Sequence, residues 1–128
     1  MPRARPFDVI LYGATGFVGR QTARYFAAHA PAGLRWAVAG RSATKLEALR
    51  AELAAAAPGV LVADAGDAAA LATLAAQARV VLSTAGPFAR FGSELVAACV
   101  RQGSHYVDIT GETPWVREMI DQIGRAHV

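Results

Sequence analysis

The sequence predicts an α/β fold, a doubly wound parallel sheet of strand order 3-2-1-4-5 with helices on both faces. Two observations carry this. Apolar runs of strand length alternate with helix-length runs from one end of the chain to the other, the pattern of successive βαβ units with right-handed crossovers. The first apolar run leads into three glycines, Gly13, Gly16 and Gly19, at G-x-x-G-x-x-G spacing, and an amphipathic helix pattern follows at once. With 128 residues and 54% apolar composition, the chain has material for one domain with a real core.

The first strand is Phe7–Tyr12 and the first helix Phe17–His29, with Val18, Tyr25, Phe26 and His29 expected to face the sheet. Pro31-Ala32-Gly33 breaks this helix, and residues 34–39 follow as the second strand. Ser42 is placed to cap the next helix, on which Leu46, Leu49 and Leu53 share one face before Pro58-Gly59 stops it. Residues 60–63 read as a short third strand ending at Asp64, 67–77 as a short helix, and 80–83 as the fourth strand. Residues 84–92, with two glycines, a proline and two phenylalanines, are expected to form a loop. A helix over 94–102 then presents Leu95, Val96 and Cys99 inward, Gly103 ends it, and His105–Asp108 is the fifth strand. In such a Rossmann-like sheet the ligand crevice lies at the carboxyl ends of strands one and four, where the winding reverses.

Composition excludes several classes. The formal net charge of +3 comes from twelve arginines and one lysine scattered along the chain, with no basic stripe interleaved with aromatics, so no nucleic-acid partner is expected. A weak positive balance suits a ligand that carries several phosphates. No apolar stretch approaches the span of a bilayer, and residues 1–6 carry charge without an apolar region behind them, so neither a transmembrane segment nor a secretory signal is expected. The single cysteine, Cys99, excludes an internal disulfide and suits a reducing compartment, which makes the expected location cytoplasmic. Cys99 has no histidine at useful spacing and reads as inert, while His29 and His105 read as packed side chains. No metal is expected, because no His, Cys or Asp cluster has ligand spacing.

The glycine motif points to a dinucleotide. Gly13 permits the tight turn off the strand, Gly16 lets backbone approach a pyrophosphate, and Gly19 lets the helix lie close on the sheet, with Ala14, Thr15, Phe17 and Val18 completing the loop. Phosphates would rest on unpaired N–H groups at the helix N-terminus, where the macrodipole favours negative charge. An NAD site ends its second strand with a carboxylate for the ribose hydroxyls. Here that strand ends in Arg41, followed by Ser42 and, one turn on, Lys45. A guanidinium, a hydroxyl and an ammonium suit a 2′-phosphate, so the expected cofactor is NADP (NADPH when reduced). Asp64 either accepts a hydrogen bond from the adenine amino group, with Ala65 beside the ring, or caps a turn through Gly66. Ser83, Thr84, Ala85 and Gly86 end the fourth strand on the nicotinamide side and are small enough for close backbone approach. Pro87 and Phe88 form a stiff apolar wall there or, with Phe91, an ordinary loop. Asp108 and Glu112 flank Thr110-Gly111 and either orient a ligand or help to cap the next helix around Thr113. No catalytic acid is identified.

Five segments together resemble a known family. They are Gly13-Ala14-Thr15-Gly16-Phe17-Val18-Gly19, Ala39-Gly40-Arg41-Ser42 with Lys45-Leu46, Ala85-Gly86-Pro87-Phe88, Tyr106-Val107-Asp108-Ile109-Thr110-Gly111-Glu112, and Pro114-Trp115-Val116-Arg117-Glu118-Met119-Ile120. From about Phe7 to Asp121 the chain is similar to the N-terminal NADP-binding domain of the saccharopine dehydrogenase-like family, closest to its trans-acting enoyl reductase branch. The resemblance implies an NADP-dependent oxidoreductase in which hydride passes between nicotinamide and a small-molecule or lipid-linked substrate held by a further domain. An enoyl thioester or lipid-linked double bond is the implied substrate, and an amino-acid imine the second. It also implies that the sheet here is truncated before a last strand and the substrate domain, and that this portion is inactive alone. The alternative is a non-catalytic NADP-sensing or binding module.

Residues 1–121 are thus expected to form an incomplete dinucleotide-binding domain. Residues 122–128 are expected to be a non-native tail. Ile123-Gly124-Arg125-Ala126-His127-Val128 does not continue the helix pattern and is what ATC-GGA-AGA-GCA-CAC-GTC encodes, a common sequencing-adapter sequence.

Overall fold

The computed structural model describes residues 4–126; residues 1–3, and residues 127 and 128 of the expected tail, lie outside it. Strands β1 (Phe7–Tyr12), β2 (Trp36–Gly40), β3 (Gly59–Val62), β4 (Ala78–Ser83) and β5 (His105–Asp108) form one parallel sheet in the order β3-β2-β1-β4-β5. This is the order that the alternation predicts. The helices are α1 (Phe17–His29), α2 (Ala43–Glu52), α3 (Ala68–Ala76), the single turn α4 (Phe88–Phe91), α5 (Ser93–Gln102) and α6 (Thr113–Ala126). Tyr12 stands opposite Ala39 on one side and Ser83 on the other, and Ser83 stands opposite Asp108. The carboxyl ends of four strands therefore lie level along one rim.

Alternation along each strand divides the core between the two faces. Ile10, Tyr12, Ala37 and Val81 pack with Leu71 and Leu74 of α3 and Leu95 and Cys99 of α5. Leu11 and Val38 face the other way, against Ala23 of α1 and Leu46 and Leu49 of α2. All five residues of β2 are buried, as expected of a parallel strand covered on both faces. Each fully buried leucine contributes about 1.5–3 kcal/mol relative to exposure. A smaller cluster of Phe88, Val96, Trp115 and Met119 joins α4, α5 and α6.

Several expectations need correction. On α1, Val18 and Tyr25 are 42% and 64% exposed, and His29 is also exposed, its ring 4.4 Å from that of Tyr25. The face turned to the sheet is Gly19 and Ala23, with Phe26 partly buried beside them. The close approach of Gly19 to the first turn sets the helix phase, and the larger apolar residues follow from it. His105 is exposed as well, on the edge strand β5. Within the expected loop 84–92, residues 88–91 form a helical turn. Strand β2 begins at Trp36, β4 extends back to Ala78, and β3 runs one residue earlier than expected. Asp67 caps α3 from outside, its carboxylate accepting from Ala70 N–H at 3.0 Å. Helix α6 runs through Ile123 and Gly124 to Ala126, although Ile123 is 39% exposed and a Cβ on Gly124 would meet nothing within 4 Å. Extending an existing helix adds a backbone hydrogen bond per residue and needs no packing partner.

Candidate functional site

The glycine turn lies where β1 reaches the carboxyl rim. Gly13 has φ +82°, a left-handed conformation, and a Cβ on it would stand 2.8 Å from Ala85 N. Both features require glycine. The N–H groups of Gly13 and Ala14 donate to the Ala39 carbonyl at 2.9 and 3.1 Å. From the other side, Thr84 N–H donates to Tyr12 O at 3.0 Å, and the Thr84 hydroxyl bonds Gly13 O at 3.2 Å. The turn is thus held between β2 and the loop after β4. Gly19, one helical turn on, faces the Gly13 carbonyl so closely that any Cβ would collide with it.

Gly16 is the N-cap of α1, with no side-chain cap and no acidic residue in the first turn. By contrast, Ser42 caps α2 by accepting from Lys45 N–H at 3.2 Å, and Asp67 caps α3. Among the described residues no side chain caps the first turn of α1, which therefore presents its N–H groups and positive dipole end.

These N–H groups border a cavity of about 620 Å³. That size lies within the roughly 300–1,000 Å³ typical of small-molecule sites. Gly40, Arg41, Ser42 and Lys45 line its β2 side, and Tyr12, Gly13, Thr15, Gly16, Phe17 and Val18 its centre. Thr84, Ala85, Gly86, Phe88 and Phe91 line the β4 side, facing Ile109, Thr110, Gly111 and Glu112. Neither Arg41 nor Lys45 pairs with a carboxylate among the described residues. A larger cavity, of about 810 Å³, lies at the opposite rim between Arg5, Asp8, Arg35, Arg79 and His105. There Arg35 is paired with Asp8 at 2.9 Å and Arg5 is bonded to carbonyls, so size alone does not identify the site.

Eleven of the sixteen residues expected to meet the cofactor line the cavity at the glycine turn. The other five stand apart from its lining. Ala14 and Gly19 are buried beneath the turn. Ser83 is buried too, its hydroxyl accepting from Ala85 N–H at 3.3 Å. Asp64 Oδ1 accepts from Gly66 N–H at 2.8 Å, the turn geometry expected as one of its two roles, and Ala65 packs against the core. Tyr12, Gly40 and Ile109 line the cavity without having been singled out. The available signal was position, because each sits at or just beyond the end of a strand on the carboxyl rim.

The Tyr12 hydroxyl donates to Ala63 O at 2.9 Å. Burial, reinforced by the Asp64 charge, pushes its pKa up to about 12. Burial likewise pushes the Cys99 thiol up to about 12, in keeping with an inert residue. Burial and the Asp108 carboxylate hold the Tyr106 proton far above its usual range, and Tyr106 donates to Asp108 Oδ2 at 2.7 Å. Glu112 opens α6 with its backbone carbonyl, which accepts from Val116 N–H at 3.0 Å, while its carboxylate caps α4. That carboxylate accepts from Ala89 N–H at 3.0 Å and Phe88 N–H at 2.6 Å, and these bonds hold its pKa below the ordinary carboxylate value. Among the described residues, no group of three or more His, Cys, Asp or Glu side chains could hold a metal ion.

Phosphate-receptive N–H groups placed where the winding of a parallel sheet reverses define a dinucleotide-binding domain of the Rossmann type. Its family follows from comparison with known proteins. Residues 9–128 match the model of the saccharopine dehydrogenase NADP binding domain, and the chain belongs to that family. The cofactor of the domain is NADP.

The chain is 46% identical over 122 residues to a trans-acting enoyl reductase of Mycobacterium tuberculosis, covering 94% of this chain and 29% of that protein. The Mycobacterium leprae enzyme of the same name is similar to the same extent. Among solved structures, apo histidine-tagged saccharopine dehydrogenase (L-Glu forming) from Saccharomyces cerevisiae matches with a TM-score of 0.73 and 25% identity, over 88% of this chain and 24% of that one. AtPrR2 with NADP+ and (+)pinoresinol matches in fold, with a TM-score of 0.67 and 18% identity, over 95% of this chain and 48% of that one. The chain thus spans 29% of the length of the enoyl reductases it resembles. No helix among the described residues is long and apolar enough to cross a membrane.

Proposed function

We propose that this chain is the cofactor-binding portion of an NADP-dependent oxidoreductase, in which hydride passes between nicotinamide and a substrate held by a further domain. The observation that carries the reading is Arg41, Ser42 and Lys45 at the β2 end of a cavity whose centre is the uncapped first turn of α1. Arg41 and Lys45 would hold the 2′-phosphate with Ser42 beside them, and the N–H groups of the α1 first turn would hold the pyrophosphate. The loop from Thr84 to Gly86 would face the nicotinamide half. The cofactor, when bound, supplies the hydride; the chain supplies position and charge.

The names of the enoyl reductases at 46% identity support reduction of an enoyl substrate, small or lipid-linked. We further propose a cytoplasmic location, which the single cysteine, Cys99, supports. A second reading, a binding or sensing module without turnover, draws on the ionisable groups of the cavity. These are Tyr12, Arg41, Lys45 and Glu112 among the described residues. The Tyr12 hydroxyl is bonded to a carbonyl and the Glu112 carboxylate to two N–H groups, so neither is placed as a proton donor. Arg41 and Lys45 are assigned above to the 2′-phosphate, so no ionisable group lining the cavity among the described residues is placed as a proton donor.

Fluorescence titration with NADPH and NADH tests the cofactor assignment. The chain is expected to bind NADPH more tightly than NADH. Arg41→Ala should weaken NADPH by about tenfold or more, the scale of a lost charged hydrogen bond, and leave NADH unchanged. Equal affinities for the two cofactors in the unmodified chain would overturn the assignment.

A further inference from the structure

We propose that Glu112 is a positioning residue for the nicotinamide half of the crevice, because its carboxylate ties together the two loops that wall that end. The inference rests on the NADP reading above. One wall is the segment after β4, in which Ala85, Gly86, Phe88 and Phe91 line the cavity. The other is the loop after β5, which contributes Ile109, Thr110, Gly111 and Glu112. The bonds from Phe88 N–H and Ala89 N–H to the Glu112 carboxylate span 24 and 23 residues of sequence.

Each wall depends on this tie for a reason visible in its own structure. Helix α4 has only four residues, and its N-cap, Pro87, supplies no side-chain cap. A single turn does not persist by its own hydrogen bonding. Its supports include the Phe88 ring, packed with Val96, Trp115 and Met119, and the carboxylate that receives its first N–H groups. The loop after β5 is anchored from below. Tyr106 holds Asp108, Asp108 Oδ1 accepts from Thr110 N–H at 3.0 Å, and Thr110 Oγ1 accepts from Glu112 N–H at 3.0 Å. A chain of side-chain bonds thus runs from β5 through Glu112 to the first turn of α4.

The adenine side is built independently. Arg41, Ser42 and Lys45 stand on the β2–α2 connection, which Ser42 caps without help from either wall. Loss of the Glu112 carboxylate should therefore release one end of the crevice and leave the other intact.

The test compares a whole cofactor with its adenine half. Calorimetric titrations with NADPH and with adenosine 2′,5′-bisphosphate are made on the unmodified chain, on Glu112→Gln and on Glu112→Ala. Both variants should bind NADPH about tenfold more weakly while keeping their affinity for the bisphosphate. A weakening of both ligands in parallel, including through failure to fold, would overturn the proposal by showing that Glu112 supports the domain as a whole. Unchanged NADPH affinity in both variants would overturn it equally. An unmodified chain that binds no NADPH would instead overturn the NADP reading, and this inference with it.

Discussion

Gly19 and Gly16 belong to one motif but answer to different demands. A methyl group at Gly19 would press on the Gly13 carbonyl oxygen and the Ala14 Cα, backbone atoms that cannot swing aside. Gly19→Ala is expected to destabilise the fold by about 1–3 kcal/mol, as overpacking of a close contact does, measured by urea unfolding. A Cβ at Gly16 would meet its nearest atom at 3.5 Å, an ordinary contact, so Gly16→Ala should leave unfolding nearly unchanged. The spacing of the three glycines and the separate task of each were legible in the sequence; that the atoms facing Gly19 belong to the glycine turn itself was not. Arg41, Ser42 and Lys45 were legible for the opposite reason, since their place follows directly from the end of a strand. Tyr12 was hidden because an aromatic that ends a buried strand looks like core, and its ring does pack there.

Secondary elements show the same limit at the next scale. Strand β1, helix α1 and strand β5 have the expected bounds, because glycine and proline punctuate a strong apolar pattern. Helix α4 has no periodicity to read in four residues, and its stabilising carboxylate comes from beyond α5. This contact carries a pH dependence. The bonds from Ala89 and Phe88 N–H hold the Glu112 carboxyl below the ordinary glutamate value in the folded chain. The tie is therefore fully stabilising above that value and is lost as pH falls through the lower folded one. The stability difference between the unmodified chain and Glu112→Gln, from urea unfolding, should be present at neutral pH and shrink toward zero on acidification. Asp8 and Glu52 also have lowered pKa values, but both proteins keep them, so their effects cancel in the difference. A difference that grew on acidification would contradict the assignment.

At the scale of the molecule, the alternation of runs was enough to predict the sheet order, because right-handed crossovers leave few ways to wind such a chain. What it could not show is how the base of the sheet is closed. Arg5, which read only as part of a charged N-terminus, donates to Ala78 O at 2.7 Å, Gln102 O at 2.5 Å and Ser104 Oγ at 2.6 Å. It binds the segment before β1 to the start of β4 and to the turn before β5. Arg5→Ala is expected to cost about 1.5–3 kcal/mol, the range for hydrogen bonds to a charged group, seen as a lower thermal midpoint. An unchanged midpoint would show that this clamp contributes nothing.

The clamp also has a place in time. Arg5 is made early, but two of its acceptors lie 73 and 99 residues later in the chain. At ordinary rates of translation that interval is on the order of ten seconds. Throughout it the arm has no partner at the far edge, and the glycine turn can form before the base is secured. Arg5 is therefore a latch that closes behind the fold, fully engaged only once α5 and the turn before β5 have been made.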